Sequence, residues 1–553
     1  MKYFLTLLGF TCFCNIVQAQ GNITGNMETT FQYLNEDTVI NAKQPVQKGL
    51  LNSYMNVFYT QGNFKAGMRL ESYLPRIQGY PNRFDGTGIG MRYVGYQNDF
   101  VDVTLGTFYE QFGSGLALRT YEDRNLGYDN LLDGVRVIVR PGKGWVLKGV
   151  YGTQRLSFQQ GQIVHGAGLV RGVDGEFHLN EGIQSMKNSA LDVVLGASFV
   201  SKFQEDDNPD WILPQNVGAY GGRVKLSYKN FYADAEYIQK EQDPSSDNQY
   251  IYNNGHAAIF NLRYTQKGLG ILISGKSVDN MSFRSDRTKD LQDLLINFLP
   301  SLNKTHTYNL VATLYPYATQ PMGEVAYQAD VLYTFKKGSQ LGGKYGTTIS
   351  LNYSTTYRPQ QTLDGIDLND SSRVVYHTRP FDLSDSLYWQ DINFNVTKKF
   401  NKKWSGIFSY YDIKINNDVV KVSDAKGIIH ARIAVLEGTY KINTHHALRW
   451  ELQGMWVAKN KDGLNDKGNW ATALVEYTIS PGWFFSAMNQ YNYGNIDASK
   501  RVNYPIITCG YIKDATRITV SYGRQRAGLF CVGGVCRPVP ANNGLMINLT
   551  HSF

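Results

Sequence analysis

The residues best suited to chemistry lie near the C-terminus, in Cys531-Val-Gly-Gly-Val-Cys536. Paired thiols at this spacing serve a metal knuckle, a redox centre or a structural disulfide. Zinc needs further thiolate or imidazole ligands, and none is close in sequence. Gly533-Gly534 suits a two-residue type I′ turn. That turn predicts Cys531 facing Cys536 at a non-hydrogen-bonded site. Cα atoms there stand about 4.5 Å apart, at the short edge of disulfide geometry. The compartment decides whether the pair oxidises.

A second set is the charged run from Glu110 through Arg119, Glu122, Asp123, Arg124, Asp129 and Asp133 to Arg136 and Arg140. Folded into a pore, a loop with both signs would narrow it and set a transverse field. The other reading is a solvated loop whose charges pair with one another. Gly113-Ser114-Gly115 is too short for a nucleophile elbow, and no helical pattern follows it. His445-His446 lacks a third ligand nearby. Glu205-Asp206-Asp207 and the trio Asp364, Asp367 and Asp370 lack the glycine and terminal glutamate of a calcium loop. The sequence therefore predicts no catalytic, cofactor or metal site, and a protein that is not an enzyme.

The elements that position these groups read as strands. The N-terminus carries Lys2, an apolar stretch from Tyr3 to Ile16, and Val17-Gln18-Ala19. This is the anatomy of a signal peptide, residues 1–19, cleaved between Ala19 and Gln20. Export makes oxidation of Cys531 and Cys536 to a disulfide the expected outcome. After the leader no apolar run reaches roughly 18 residues, which excludes helical spans. The chain carries 38 Tyr, 54 Gly, only 18% charged residues and a net charge of +8. So mild an excess implies no nucleic-acid partner.

Period-two alternation dominates, in segments of roughly 9–11 residues, the length of a tilted membrane strand. In Phe64–Leu74 one face holds Lys65, Gly67, Arg69, Glu71 and Tyr73, and the other Phe64, Ala66, Met68, Leu70, Ser72 and Leu74. In Val101–Glu110 the outward set is Val101, Val103, Leu105, Thr107 and Tyr109. Charge on one face and hydrocarbon on the other fit a wall between a watery lumen and lipid. Short connections alternate with long ones, and three short ones lead into Trp145, Trp404 and Trp483, as an interfacial girdle requires. Parity of the strands needs an even number between Arg284 and Gly323, taken as zero. Residues 20–553 are then one antiparallel barrel of about 24 strands, within roughly 22–26. After Asp290, Leu291, Leu294, Leu295, Phe298 and Leu299 follow helical spacing, predicting an amphipathic helix within a loop. A strand pattern begins soon after Gln20, which predicts no plug domain before the barrel and disfavours a TonB-dependent transporter.

The last strand alternates through Leu545, Ile547, Leu549 and His551 to terminal Phe553. It resembles the signal by which bacterial outer-membrane barrels are handed to their assembly machinery. Phe112-Gly-Ser-Gly115 with Arg119-Thr-Tyr-Glu-Asp-Arg124, Leu341-Gly-Gly-Lys-Tyr-Gly346, and Gly523-Arg-Gln-Arg526 through Pro540 resemble an uncharacterised family of Bacteroidota outer-membrane barrels. The resemblance implies the fold and the location but no activity. Expected partners are outer-membrane lipid and lipopolysaccharide, the assembly machinery and, at the long loops, other proteins. The functional expectation is a porin-like channel or transporter for polar solutes. The alternative is a scaffold subunit of an assembly or secretion complex.

Overall fold

The alternating segments pair into one antiparallel sheet of 24 strands in the computed structural model, which describes residues 21–365, 375–420, 427–460, 463–532 and 535–553. The leader, with Ala19 and Gln20, lies outside the described residues, as does the turn at Gly533-Gly534. The first strand, Asn22–Asn35, pairs with Gly49–Gln61 on one side and with the last, Asn542–Ser552, on the other. The sheet therefore closes on itself. Closure is what lipid demands, since an open edge would leave N–H and C=O groups unbonded in hydrocarbon.

The two faces divide as the alternation predicts. Phe64, Met68, Leu70, Val94, Leu105 and Val135 stand exposed on the outside, so the surface is a lipid-facing band. Trp145 stacks on Phe177 at 4.4 Å and Trp404 on Tyr440 at 4.5 Å. Both follow short turns, as does exposed Trp483, and mark one end of the barrel as an interface.

Leu269–Asp279 pairs directly with Gly323–Phe335, with Asp279 opposite Gly323. No spanning strand therefore lies between Arg284 and Gly323, as parity required. The helix predicted after Asp290 does not form. Leu291 and Leu294 take left-handed backbone angles, φ +52° and +54°, and Arg284 bridges Leu295. Arg284 also donates to the carbonyls of Leu291 and Asp293, so a side chain organises the segment that local spacing assigned to a helix. The loop's helix is Asn309–Leu314 instead.

The long excursion after Arg358 is largely strand, a hairpin of Thr347–Gly365 and Val375–Lys399. Its outer part folds back on the barrel exterior. Phe381 packs on Phe260, and the Thr378 hydroxyl donates to Asp279 at 2.9 Å.

Two loops fold inwards at the long-loop end. Phe112, Leu116 and Leu118 from one, and Met281, Phe283 and Ile296 from the other, form a core against Val170, Val200, Ile238 and Ile259 of the inner wall. Leu310, Val311 and Leu314 of the short helix dock across the lumen on Ile413, Ile433, Met455 and Trp470. The apolar stretches of these loops are thereby buried inside the barrel, away from water.

Candidate functional site

The charged run builds the polar part of this plug. Arg69 reaches in from its strand to Glu71 (2.7 Å), Glu122 (2.9 Å) and Asp129 (2.9 Å). Arg155 adds Glu71 (2.7 Å) and Asp129 (2.9 Å). The Tyr73 and Tyr109 hydroxyls donate to Glu71 and Asp129. Arg69 and Glu71 are 2% and 0% exposed, so this cluster holds a loop inside the lumen and is no solvated surface array. Arg124 extends it to Glu28 at 2.7 Å and lies over the Tyr54 ring.

A second ladder crosses the wall below. Lys65 pairs with Asp102 (2.9 Å), Arg136 with Asp102 (3.4 Å) and Glu110 (2.6 Å), and Lys148 with Glu110 (2.8 Å). Burial alone would raise the Glu110 carboxyl, but hydrogen bonds from Lys148 and Arg136 hold it below the ordinary carboxylate range.

Glu110, Glu122, Arg124, Asp129 and Arg136 therefore come together in the lumen. Arg119 lies there without a carboxylate among the described residues and stacks on Phe298 and Tyr121 at 4.1 and 4.7 Å. Asp123 caps its own turn, accepting from the Leu126 N–H. Asp133 is corrected: it shares the outward face with Val135 and pairs with exposed Arg92 at 3.2 Å. Arg140 is corrected too, since it sits exposed in the short turn beyond its strand. Tyr109, assigned outwards, turns into the lumen as the chain leaves its strand at Phe108.

Arg155 escaped the sequence reading. Its strand runs Lys148, Val150, Gly152 and Gln154 inwards, which puts Arg155 outside by parity. A bulge opposite, between His165 and Leu169, breaks the count and turns Arg155 in. An arginine at a lipid-facing parity position is the signal that could have exposed the bulge.

Arg524, Arg526 and Arg537 also face the loops. Arg524 pairs with Asp37 at 2.6 Å, Arg526 donates to Thr313, and Arg537 donates to the carbonyls of Asn125 and Gly79 at 2.6 and 2.7 Å. The hairpin Gly528–Val532 and Val535–Val539 sets Cys531 opposite Cys536; the Cys531 side chain lies outside the described residues. Cys509 is a free thiol. On the last strand, Leu549 and His551 point outwards with exposed Phe553, whose backbone pairs with Gly25.

The plug is lopsided. At mid-depth the inward residues Asp174, Ser198, Glu236, Ser274, Asn352 and Ile433 are buried under it. Apart from buried Gln490 and Asn492, the arc from Trp483–Asn492 round to the first strand is not covered by the described residues. There Ser521, Thr519, Asn548, Thr550, Glu28 and Thr30 remain half-exposed or exposed on the inner face. This amide and hydroxyl strip was legible in the alternation Asn26, Glu28, Thr30, Gln32, but sequence reasoning followed the charges instead. Its upper end widens into a cavity of about 190 Å³ between the wall and the plug, lined by Gln32, Asn52, Gln78, Gln525 and Asn548.

Solved barrels give remote likenesses. The siderophore receptor PirA from Pseudomonas aeruginosa is 10% identical, with 97% of this chain and 81% of that one covered and a TM-score of 0.40. The outer membrane transporter YddB from Escherichia coli is 8% identical over 96% and 81%, TM-score 0.40. The Pseudomonas aeruginosa protein OccK1 (OpdK) is 10% identical over 74% and 97%, TM-score 0.33. No curated protein sequence matches the chain. Residues 1–553 in full match DUF6029, and the chain belongs to that family of unknown function.

Proposed function

We propose that this protein is an outer-membrane transport barrel for polar solutes, whose own loops fill one side of the lumen and leave a narrow passage along the other. The uncovered amide and hydroxyl arc carries the reading. Side chains that merely closed a lumen would be packed, as both the apolar and the polar ones are under the plug. Those of the arc are polar and wet, the lining that a water-borne solute needs. Small uncharged donors and acceptors dominate it, so it selects by size and hydrogen bonding more than by charge. Cleavage after Ala19, delivery through the C-terminal strand and a Cys531–Cys536 disulfide that stiffens the hairpin over the plug belong to the same proposal. The scaffold reading has less support, because the long hairpin that could reach a partner lays Phe381 on its own wall.

Solute flux into liposomes tests the proposal. The wild-type barrel should admit small neutral solutes, and Thr30→Trp or Asn548→Trp should slow them severalfold. The same replacement at Ser198, beneath the plug, should act only through stability. Flux that ignores both arc variants, or no flux at all, contradicts the proposal.

A further inference from the structure

The cavity at the top of the arc has a particular arrangement of amides. Gln32 accepts from the Gln78 N–H through Oε1 (3.0 Å), and Asn52 from the Ile77 N–H through Oδ1 (3.0 Å). Asn548 Oδ1 accepts from the Thr30 hydroxyl (2.9 Å), and Gln525 Oε1 from the Asn542 amide (3.0 Å). The backbone donors fix the oxygens of Gln32 and Asn52, which settles their orientation and leaves their two amide NH₂ groups without a partner among the described residues. Gln32 and Asn52 are only 5% and 2% exposed, so the donors are held in place on the cavity wall. Gln78 Oε1, buried on the same cavity, is an acceptor with no hydrogen-bond partner. A buried acceptor without a partner is costly, and one set beside two fixed free donors on the same cavity marks a place where a ligand supplies the bonds.

Resting on the transport reading above, we infer that this cavity binds a neutral polyhydroxylated solute, one sugar ring of a saccharide or polyol, as it moves along the arc. A hydroxyl both donates and accepts, and the cavity offers fixed donors together with a free acceptor. An anion would meet Gln78 Oε1 and the Glu28 carboxylate. The two arginines on the cavity are already engaged: Arg124 with Glu28 and Glu122, Arg537 with two loop carbonyls. A cation would meet the two fixed NH₂ groups of Gln32 and Asn52. The cavity, of about 190 Å³, has room for a single sugar ring.

Calorimetry on the purified full-length barrel, in a detergent without a sugar headgroup, tests this independently of transport. The titrants are glucose, maltose, glucuronate and glucosamine. The neutral sugars should bind, and the charged ones at least tenfold more weakly. Asn52→Asp and Gln32→Glu keep the oxygen that anchors the loop and delete the free donor, so the fold should survive, as circular dichroism would verify. Each should weaken neutral-sugar binding about tenfold. Preference for glucuronate or glucosamine, no neutral-sugar binding, or unchanged affinity in both variants would overturn the inference. Solute flux with no sugar binding would overturn it while leaving the transport proposal intact.

Discussion

Glu71→Gln tests whether the buried ions hold the plug in place. Glu71 accepts four hydrogen bonds, one from Arg69 (2.7 Å), two from Arg155 (2.9 and 2.7 Å) and one from Tyr73 (2.8 Å). The carboxamide keeps the shape but removes the charge, and its NH₂ confronts a guanidinium. Breaking a buried pair by removing one partner costs about 3–5 kcal/mol. Asp129 still reaches both arginines, which places the effect at the lower end, about 3 kcal/mol. The loss falls on the loop 109–131, which carries Glu122 and Asp129, more than on the strands. At 1.4 kcal/mol per factor of ten, open states of that loop should rise about a hundredfold. Hydrogen exchange of the 109–131 amides, followed by mass spectrometry on the folded barrel, reads this directly. Lys225→Gln, which breaks a pair to Glu176 with a 38% exposed lysine, should change exchange very little. Unchanged protection of 109–131 in Glu71→Gln would refute the argument that this cluster holds the loop.

Three further outcomes are expected. Leu314→Ala, in the helix docked on Trp470 and Met455, should cost about 2–5 kcal/mol of local stability and speed proteolysis of residues 290–318 without unfolding the barrel. Because Glu110 sits below the ordinary carboxylate range, its stabilisation is complete above the unfolded value and is lost as pH falls through the lowered one. Acid titration should therefore mobilise the loop beginning at Glu110, and Glu110→Gln should remove that component. Unreduced peptides spanning the β-hairpin should lack both thiol hydrogens at Cys531 and Cys536, and free thiols at both would defeat the disulfide.

Much of the fold was legible because a closed membrane sheet obeys two simple rules, alternation and strand parity. Lys65, Arg69 and Glu71 face the lumen and Met68 and Leu70 the outside, as the pattern alone required. The plug was not legible to the same degree. Leu291 and Leu294 have helical spacing, yet Arg284 draws the carbonyls of Leu291 and Asp293 into turns, a side-chain bond that no hydrophobic spacing encodes. Arg155 turned inwards through a bulge on the neighbouring strand. The charges of the run from Glu110 to Arg140 were visible, but which of them meet depends on where the chain leaves its strand: Glu110 enters the lumen, and Asp133 lies on the outward face. The amides of the arc carried no charge to draw notice, and their significance comes from what does not cover them.

The central claim is that a lopsided plug of the protein's own loops leaves one polar passage in the lumen. Single-channel recording tests it most directly, on the wild type and on a variant with residues 286–318 replaced by a short Gly-Ser turn, which the Asp279–Gly323 pairing permits. The wild type should show a small, steady conductance, and the variant a several-fold larger one. A silent wild type and an equally silent variant, both folded and inserted, would contradict the claim.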